Sequence, residues 1–420
     1  MSSHRSMLLG VAVGAAAGLT ANAVAAQSTA LKWFIDLVTY PVGQIFLRLL
    51  FMLVLPILFS ALVMGVCELD LKHFGRLGLR TLGYTVVVST IAVVIGLALV
   101  NLIRPGDGLP EALRTQMQSG AIKPATAPAD TSPVAMIIAM VPDNVIKAAA
   151  GGDMLAIITF SLLFGIGLSL TRTEAAGRLR EGIQGLYDVS MKLIGGVLRL
   201  APIGVGALLF TITARMGIDI MRQLGAFVFT VLLSLALQMF VVYSLSVRFL
   251  GGMSPITFFR SSRVAIVTAF STASSNATLP TSLKVAEEEL RLPPSVARFV
   301  LTAGAAMNQN GTALFEGVTV IFLAQVYGVS LTFGQQALVM LIAVLGGIGT
   351  AGIPAGSLPV IAMILGMLGI PPEGLGLVLG VDRLLDMCRT VINVVGDLAA
   401  AVYVSRGEGE RPAPPVEASS

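Results

Sequence analysis

Long apolar blocks, bounded by short basic or Pro/Gly-rich clusters, set the pattern of this 420-residue chain. Blocks near or above about 20 residues predict bilayer-spanning helices rather than strands. In chain order they cover residues 7–27, 33–68, 83–103, 134–170, 183–216 and 226–250. The first follows a short basic start and ends in Ala-Val-Ala-Ala-Gln. That ending also fits a removable signal peptide, but the block is long enough to span, and a polytopic chain needs no such signal. The second block contains Pro41, Arg48 and Pro56 and is expected as one tilted or kinked span. The fourth is cut at Pro142-Asp143-Asn144 and again at Gly151-Gly152-Asp153, so a broken element is expected. Lys72, His73, Arg76 and Arg80 lie beside block ends, as do Arg172, Arg178 and Arg180, then Arg248, Arg260 and Arg263. They mark the cytoplasmic side, and the mixed-charge loop from 104 to about 133 is expected outside.

The last third departs from this pattern. Residues 256–290 are interrupted by Ser271-Thr272-Ala273-Ser274-Ser275-Asn276-Ala277-Thr278-Leu279-Pro280, and 331–368 by the Gly-rich run from Gly346 to Ser357. Non-helical backbone at membrane depth is tolerated only inside protein or along a wet cavity. Two re-entrant hairpins, about 254–290 and 332–368, are therefore expected to dip toward a common site. Each precedes a span bearing polar residues, 298–326 and then about 374–404. Paired interrupted segments of this kind predict the inverted repeats of a secondary transporter, on pattern alone, because the halves share no readable identity.

The last span carries the chemistry. Asp382, Asp386, Arg389, Thr390, Asn393 and Asp397 recur every three or four residues, which places them on one face of a helix. At roughly 2.5–3.5 kcal/mol per ionised group in mid-bilayer, that face must look at protein, water or a ligand. A buried salt-bridge ladder between helices would account for the charges alone, but it predicts balanced charge. Thr390, Asn393 and Asp397 instead supply oxygens without a nearby cation, the donor set a bound cation uses.

Composition narrows the class further. With 55% hydrophobic and 12% charged residues, the chain is an all-α membrane protein rather than a soluble globular one. Its net charge of +4 includes no basic run, so nucleic acid is not an expected partner. Cys67 and Cys388 fit reduced packing residues, and His4 and His73 lie outside the apolar blocks, which leaves no histidine for zinc or haem. The tail, 405–420, is rich in Pro, Gly, Glu and Ser and is expected to be disordered and, like the N-terminus, cytoplasmic.

Four ordered motifs are specific enough to name a family: Ser274 to Pro280, Asn308-Gln309-Asn310-Gly311-Thr312, Ala351-Gly352-Ile353-Pro354, and Asp382 to Asp397. With Met52 to Ile57 earlier, they resemble the glutamate/aspartate and dicarboxylate:cation symporters over most of the chain. The resemblance implies one transporter domain over 1–420, with eight spanning helices and two re-entrant hairpins. It also implies an elevator-type homotrimer in which a transport domain slides against a scaffold, in the inner membrane. By that resemblance, Arg389 grips the distal carboxylate of the substrate and Asp386 binds its amino group, while Thr390, Asn393 and Thr312 complete the site. Ser274 and Ser275 meet the α-carboxylate, and Ala351, Gly352 and Pro354 form the lid. The chemistry is apt, because a planar guanidinium binds a carboxylate bidentately.

The cation positions implied by the resemblance are Asp397, Asn308, Asn310, Asp382, Ser89, Thr90 and Thr350. Asn310 stands where the family carries a carboxylate and Gln309 where it carries a methionine, which weakens one sodium site. At the first hairpin, Asn276 replaces a serine and Ala273 an arginine of some members, and Arg383 is a candidate to supply that charge. Glu316 matches the proton-carrying glutamate of proton-coupled members, and an intramembrane carboxyl suits that task; the alternative is a structural hydrogen bond. No cofactor is expected beyond Na+ or H+ as coupling ions. The leading function is symport of an acidic amino acid, with a C4-dicarboxylate carrier as runner-up. An intramembrane hydrolase using Asp382 and Asp386 is disfavoured, since the arginines beside them oppose a proton-sharing dyad. An anion conductance lined by Arg389 and Arg383 would be compatible with transport.

Overall fold

The computed structural model describes residues 2–25, 28–68, 75–108, 141–151, 154–349, 357–371 and 374–406. Among the described residues every regular element is a helix. The N-terminal region comprises α1 (Ser2–Ala25), α2 (Tyr40–Met52), α3 (Val54–Glu68) and α4 (Gly75–Ile103). Next come α5 (Val145–Gly151), α6 (Met154–Leu170), α7 (Glu174–Met216) and α8 (Ile218–Leu237), the last continuing helically to Leu250. Then follow α9 (Pro255–Thr272), α10 (Ser275–Lys284), α11 (Pro294–Met307), α12 (Asn310–Val326), α13 (Phe333–Gly349), α14 (Ser357–Met367) and α15 (Leu375–Ser405).

Among the described residues, five stretches are long and apolar enough to cross a membrane: Thr29–Cys67, Leu77–Ile103, Glu174–Met216, Ile218–Leu250 and Leu375–Ser405. The kinked second block is one of them, with a π-helical turn at Ile35–Thr39 and a local break at Leu53 before Pro56. In the fourth block, Pro142-Asp143-Asn144 lies outside helix ahead of α5, whereas Gly152 and Asp153, at the second expected cut, lie outside the described residues. The expectation of one continuous span over 298–326 is corrected: α11 ends at Met307 and α12 starts at Asn310, because Asn308 and Gln309 leave helical geometry (ψ 64° and 57°). Side-chain amides there offer the freed backbone alternative partners. The first interruption is narrower than the sequence suggests. Only Ala273, in the left-handed region at φ 49°, and the extended Ser274 separate α9 from α10, and Ser274 Oγ caps α10 by accepting the Ala277 N–H. The loop from 109 to 140, residues 350–356 and the tail from 407 lie outside the described residues.

Packing falls into two groups that meet where α7 also packs against α15. Helices α1 and α2 lie along α7, and α3 along α6, whereas α4, α8, α9, α11 and α12 gather around α15. Gly10, Gly14 and Gly18 give α1 a smooth stripe at four-residue spacing; a methyl at Gly14 would come 2.8 Å from the Gly206 Cα of α7. Small residues at this spacing let two membrane helices approach at backbone distance. In α15, 83% of the most apolar 18-residue window is buried, against 33% in Leu77–Ile103. The charged residues of α15 thus lie on a helix largely enclosed by protein, which removes the cost of exposing those charges to lipid.

Candidate functional site

The polar face of α15 divides into two parts. In the first, Arg389 is fully buried and its Nη2 donates to Asp382 Oδ1 (3.0 Å) and Asp386 Oδ1 (2.9 Å), while Nη1 donates to Ser357 Oγ at the start of α14 (3.1 Å). Arg383 reaches Asp386 Oδ2 at 3.4 Å. Two carboxylates and two guanidiniums thus balance within one helix. The balance expected of an interhelical ladder is present in this quartet, but its ion pairs lie within α15 and tie no helices together. Both aspartates face one nitrogen, an ion-paired arrangement unlike a proton-sharing dyad. The Arg389 guanidinium carbon also lies 3.9 Å from the centre of the Phe315 ring, a cation–π contact.

The second part centres on the break between α11 and α12. Asn393 Oδ1 accepts the Gly311 N–H (2.8 Å), and its amide donates to Gln309 Oε1 (2.5 Å) and Thr312 Oγ1 (3.1 Å). Only a glycine permits this, because a Cβ at Gly311 would lie 2.7 Å from the Arg389 carbonyl oxygen. Thr390 Oγ donates to the Asp386 carbonyl (2.8 Å). Asp397 is buried and accepts from Asn308 Nδ2 (2.8 Å), leaving Asn308 Oδ1 without a hydrogen bond among the described residues. Asn310 accepts from Ser89 Oγ and donates to Tyr243 Oη (3.1 Å), which in turn donates to the Ile392 carbonyl (2.9 Å).

Several nominated residues do not join these clusters. Thr90 Oγ donates to Val86 of its own helix (2.7 Å). Asp382 is held on Arg389 and stands fifteen positions from Asp397, roughly 22 Å along the helix. Glu316 is fully buried, with neither oxygen hydrogen-bonded among the described residues. It faces α13, where a Cβ at Gly346 would lie 3.3 Å from its Oε2. A structural hydrogen bond at Glu316 is therefore absent from the described contacts. Ser275 is buried, its hydroxyl unpaired among the described residues, and Ser274 serves as the α10 cap. Ala351, Gly352, Pro354 and Thr350 lie outside the described residues. Sequence reading missed Tyr243 and Ser357; a tyrosine inside an apolar block and a serine closing the Gly-rich interruption were the available signals.

A family model for the sodium:dicarboxylate symporter family matches residues 4–407. The chain belongs to that family. Its helices, its polar last span and its two interrupted apolar segments are thus those of a symporter-family member, a transporter rather than an enzyme. The Proton/sodium-glutamate symport protein of Geobacillus stearothermophilus is 34% identical over 375 residues, 88% of each chain. The Proton/glutamate-aspartate symporter of Escherichia coli (strain K12) is 33% identical over 386 residues, 91% of this chain and 88% of the relative. The C4-dicarboxylate transport protein of Bacillus subtilis (strain 168) is 32% identical over 379 residues, 88% of this chain and 87% of the relative.

Proposed function

We propose that the protein is a secondary active symporter that couples uptake of an acidic amino acid, glutamate or aspartate, to entry of Na+, H+ or both. One observation carries the reading: at four of the nominated positions a buried group has no partner among the described residues, and these four sort by the ligand they would satisfy. Arg389 Nε and the Ser275 hydroxyl are spare donors, suited to substrate carboxylates. Glu316 and Asn308 Oδ1 are spare acceptors, suited to a proton and a cation. A buried polar atom without a partner costs about 1–3 kcal/mol, so each position favours the ligand that satisfies it.

In this mechanism the distal carboxylate of the substrate binds Arg389 and displaces the carboxylates that now neutralise it. The ammonium replaces a guanidinium at Asp386, and the net charge of −1 that an acidic amino acid adds to the neutral quartet is offset by the entering cation. Asn393 and Thr312 hold the broken helix beside this site, while Thr390 and the 351–354 lid complete it. Asp397 with Asn308 holds a cation. The Ser89–Asn310–Tyr243 cluster is neutral, so fewer sodium ions accompany the substrate than in members with a carboxylate at that position, and Glu316 carries a proton.

Eight spans, two re-entrant hairpins built on α9–α10 and α13–α14, an elevator motion between the two helix groups, a homotrimer and residence in the inner membrane with cytoplasmic termini complete the proposal. A C4-dicarboxylate carrier is the second reading. It is favoured by the Arg383–Asp386 contact, which gives Asp386 a positive partner without an ammonium. Uptake of radiolabelled aspartate, glutamate and succinate into proteoliposomes, under separately imposed sodium and pH gradients, decides between them. Concentrative aspartate or glutamate uptake supports the first reading, and uptake of succinate alone supports the second.

A further inference from the structure

A cavity of about 410 Å³ lies between α8, α9 and α15, walled by side chains such as Leu235 and Met239, Val267 and Phe270, and Cys388 and Val391. Every wall residue is apolar or a thiol. The volume falls within the range of small-ligand sites. Its rim is open on the α9 side, where Val267 is 65% exposed and Phe270 40%.

The same face of α9 changes character one turn toward Pro255. Arg260, Arg263, Val267 and Phe270 stand at i, i+3, i+7 and i+10, so one helical stripe runs from two arginines to the apolar cavity. Arg263 is offset from Val267 by about 6 Å along the axis, and helical side chains lean toward the N-terminus, which carries the guanidiniums to the end of the groove. Both arginines are exposed, and neither has an ion-pair partner among the described residues. A groove with an apolar body and a cationic end matches a molecule with an acyl tail and an anionic head.

We propose that this groove binds an anionic phospholipid, with its headgroup on Arg260 and Arg263 and one acyl chain in the cavity against Cys388. The tail then rests on the outer side of the α15 turn whose inner side holds Arg389. The lipid is therefore a resident of the helix group that carries the site.

The test uses the purified full-length protein and the rate at which an apolar maleimide labels Cys388. Cys67 is buried and provides an internal reference. Phosphatidylglycerol added to delipidated protein is expected to slow Cys388 labelling at lower concentration than phosphatidylcholine does. Arg260→Gln with Arg263→Gln, both surface changes, is expected to remove roughly tenfold to thirtyfold of that preference, at one surface charge interaction per arginine. Native mass spectrometry should show phosphatidylglycerol retained by the parent and lost from the double variant. Equal protection by the two lipids would overturn headgroup recognition. Protection by neither, or an unchanged preference in the double variant, would overturn the site.

Discussion

Asn310→Asp places a carboxylate where the structure holds a neutral amide. At present the amide oxygen accepts from Ser89, the amide nitrogen donates to Tyr243, and Tyr243 donates to the Ile392 carbonyl, so the buried cluster is satisfied without an ion. Asp has no N–H to give Tyr243, and it adds a charge whose side-chain partners among the described residues, Ser89 and Tyr243, are both neutral. An uncompensated buried charge costs roughly 3–5 kcal/mol. At on the order of 1 °C per kcal/mol for a chain of this length, the variant should melt roughly 3–5 °C below the parent in choline buffer. Sodium should reverse the loss: a cation at a hundredfold excess over its Kd restores about 2.7 kcal/mol, or roughly 3 °C. The assay is thermal unfolding of detergent-purified parent and variant across a sodium titration at fixed ionic strength. If the variant melts with the parent in choline, or sodium raises both by the same amount, the neutral cluster is not a vacated cation site.

Three further outcomes are expected. Asp386→Ser should raise KM for aspartate more than for succinate, because only aspartate brings an ammonium; equal changes would make Asp386 a support for Arg389 alone. Glu316→Gln should remove the dependence of uptake on an imposed pH gradient while leaving substrate exchange measurable, and a persistent pH response would assign the proton to another group. Gly14→Leu should destabilise the protein by about 1–3 kcal/mol through overpacking against the α7 backbone, read as a lowered melting temperature, and unchanged melting would contradict the α1–α7 crossing.

Much of the last helix was legible because its chemistry follows helical spacing. Asp382 and Asp386 precede Arg389 by seven and three positions, so all three share a face, and the structure joins them at that face. The burial of α15 was legible for the same reason, since its charges exclude lipid. The break at Asn308–Gln309 was not, because hydropathy across 298–326 stays high and a single pair of amides barely lowers it. Three consecutive amides at that depth were the signal, each needing a partner that a continuous lipid-facing helix could not provide. Tyr243 was hidden for a related reason: its ring packs as any apolar residue does, and only its hydroxyl, aimed at Asn310 and the Ile392 carbonyl, separates it from the core. Ser357 acquires its role only when the start of α14, packed on α12, comes within reach of Arg389, a long-range fact that local pattern does not carry.

The central claim is that the guanidinium of Arg389 exchanges its own helix's carboxylates for that of the substrate. Aspartate uptake by Arg389→Cys in proteoliposomes, beside a neutral amino acid such as serine and with folding checked by melting temperature, tests it most directly. The expected result is a folded variant whose aspartate uptake is lost, with serine uptake retained or gained. A folded variant that takes up aspartate with near-parental KM would contradict it.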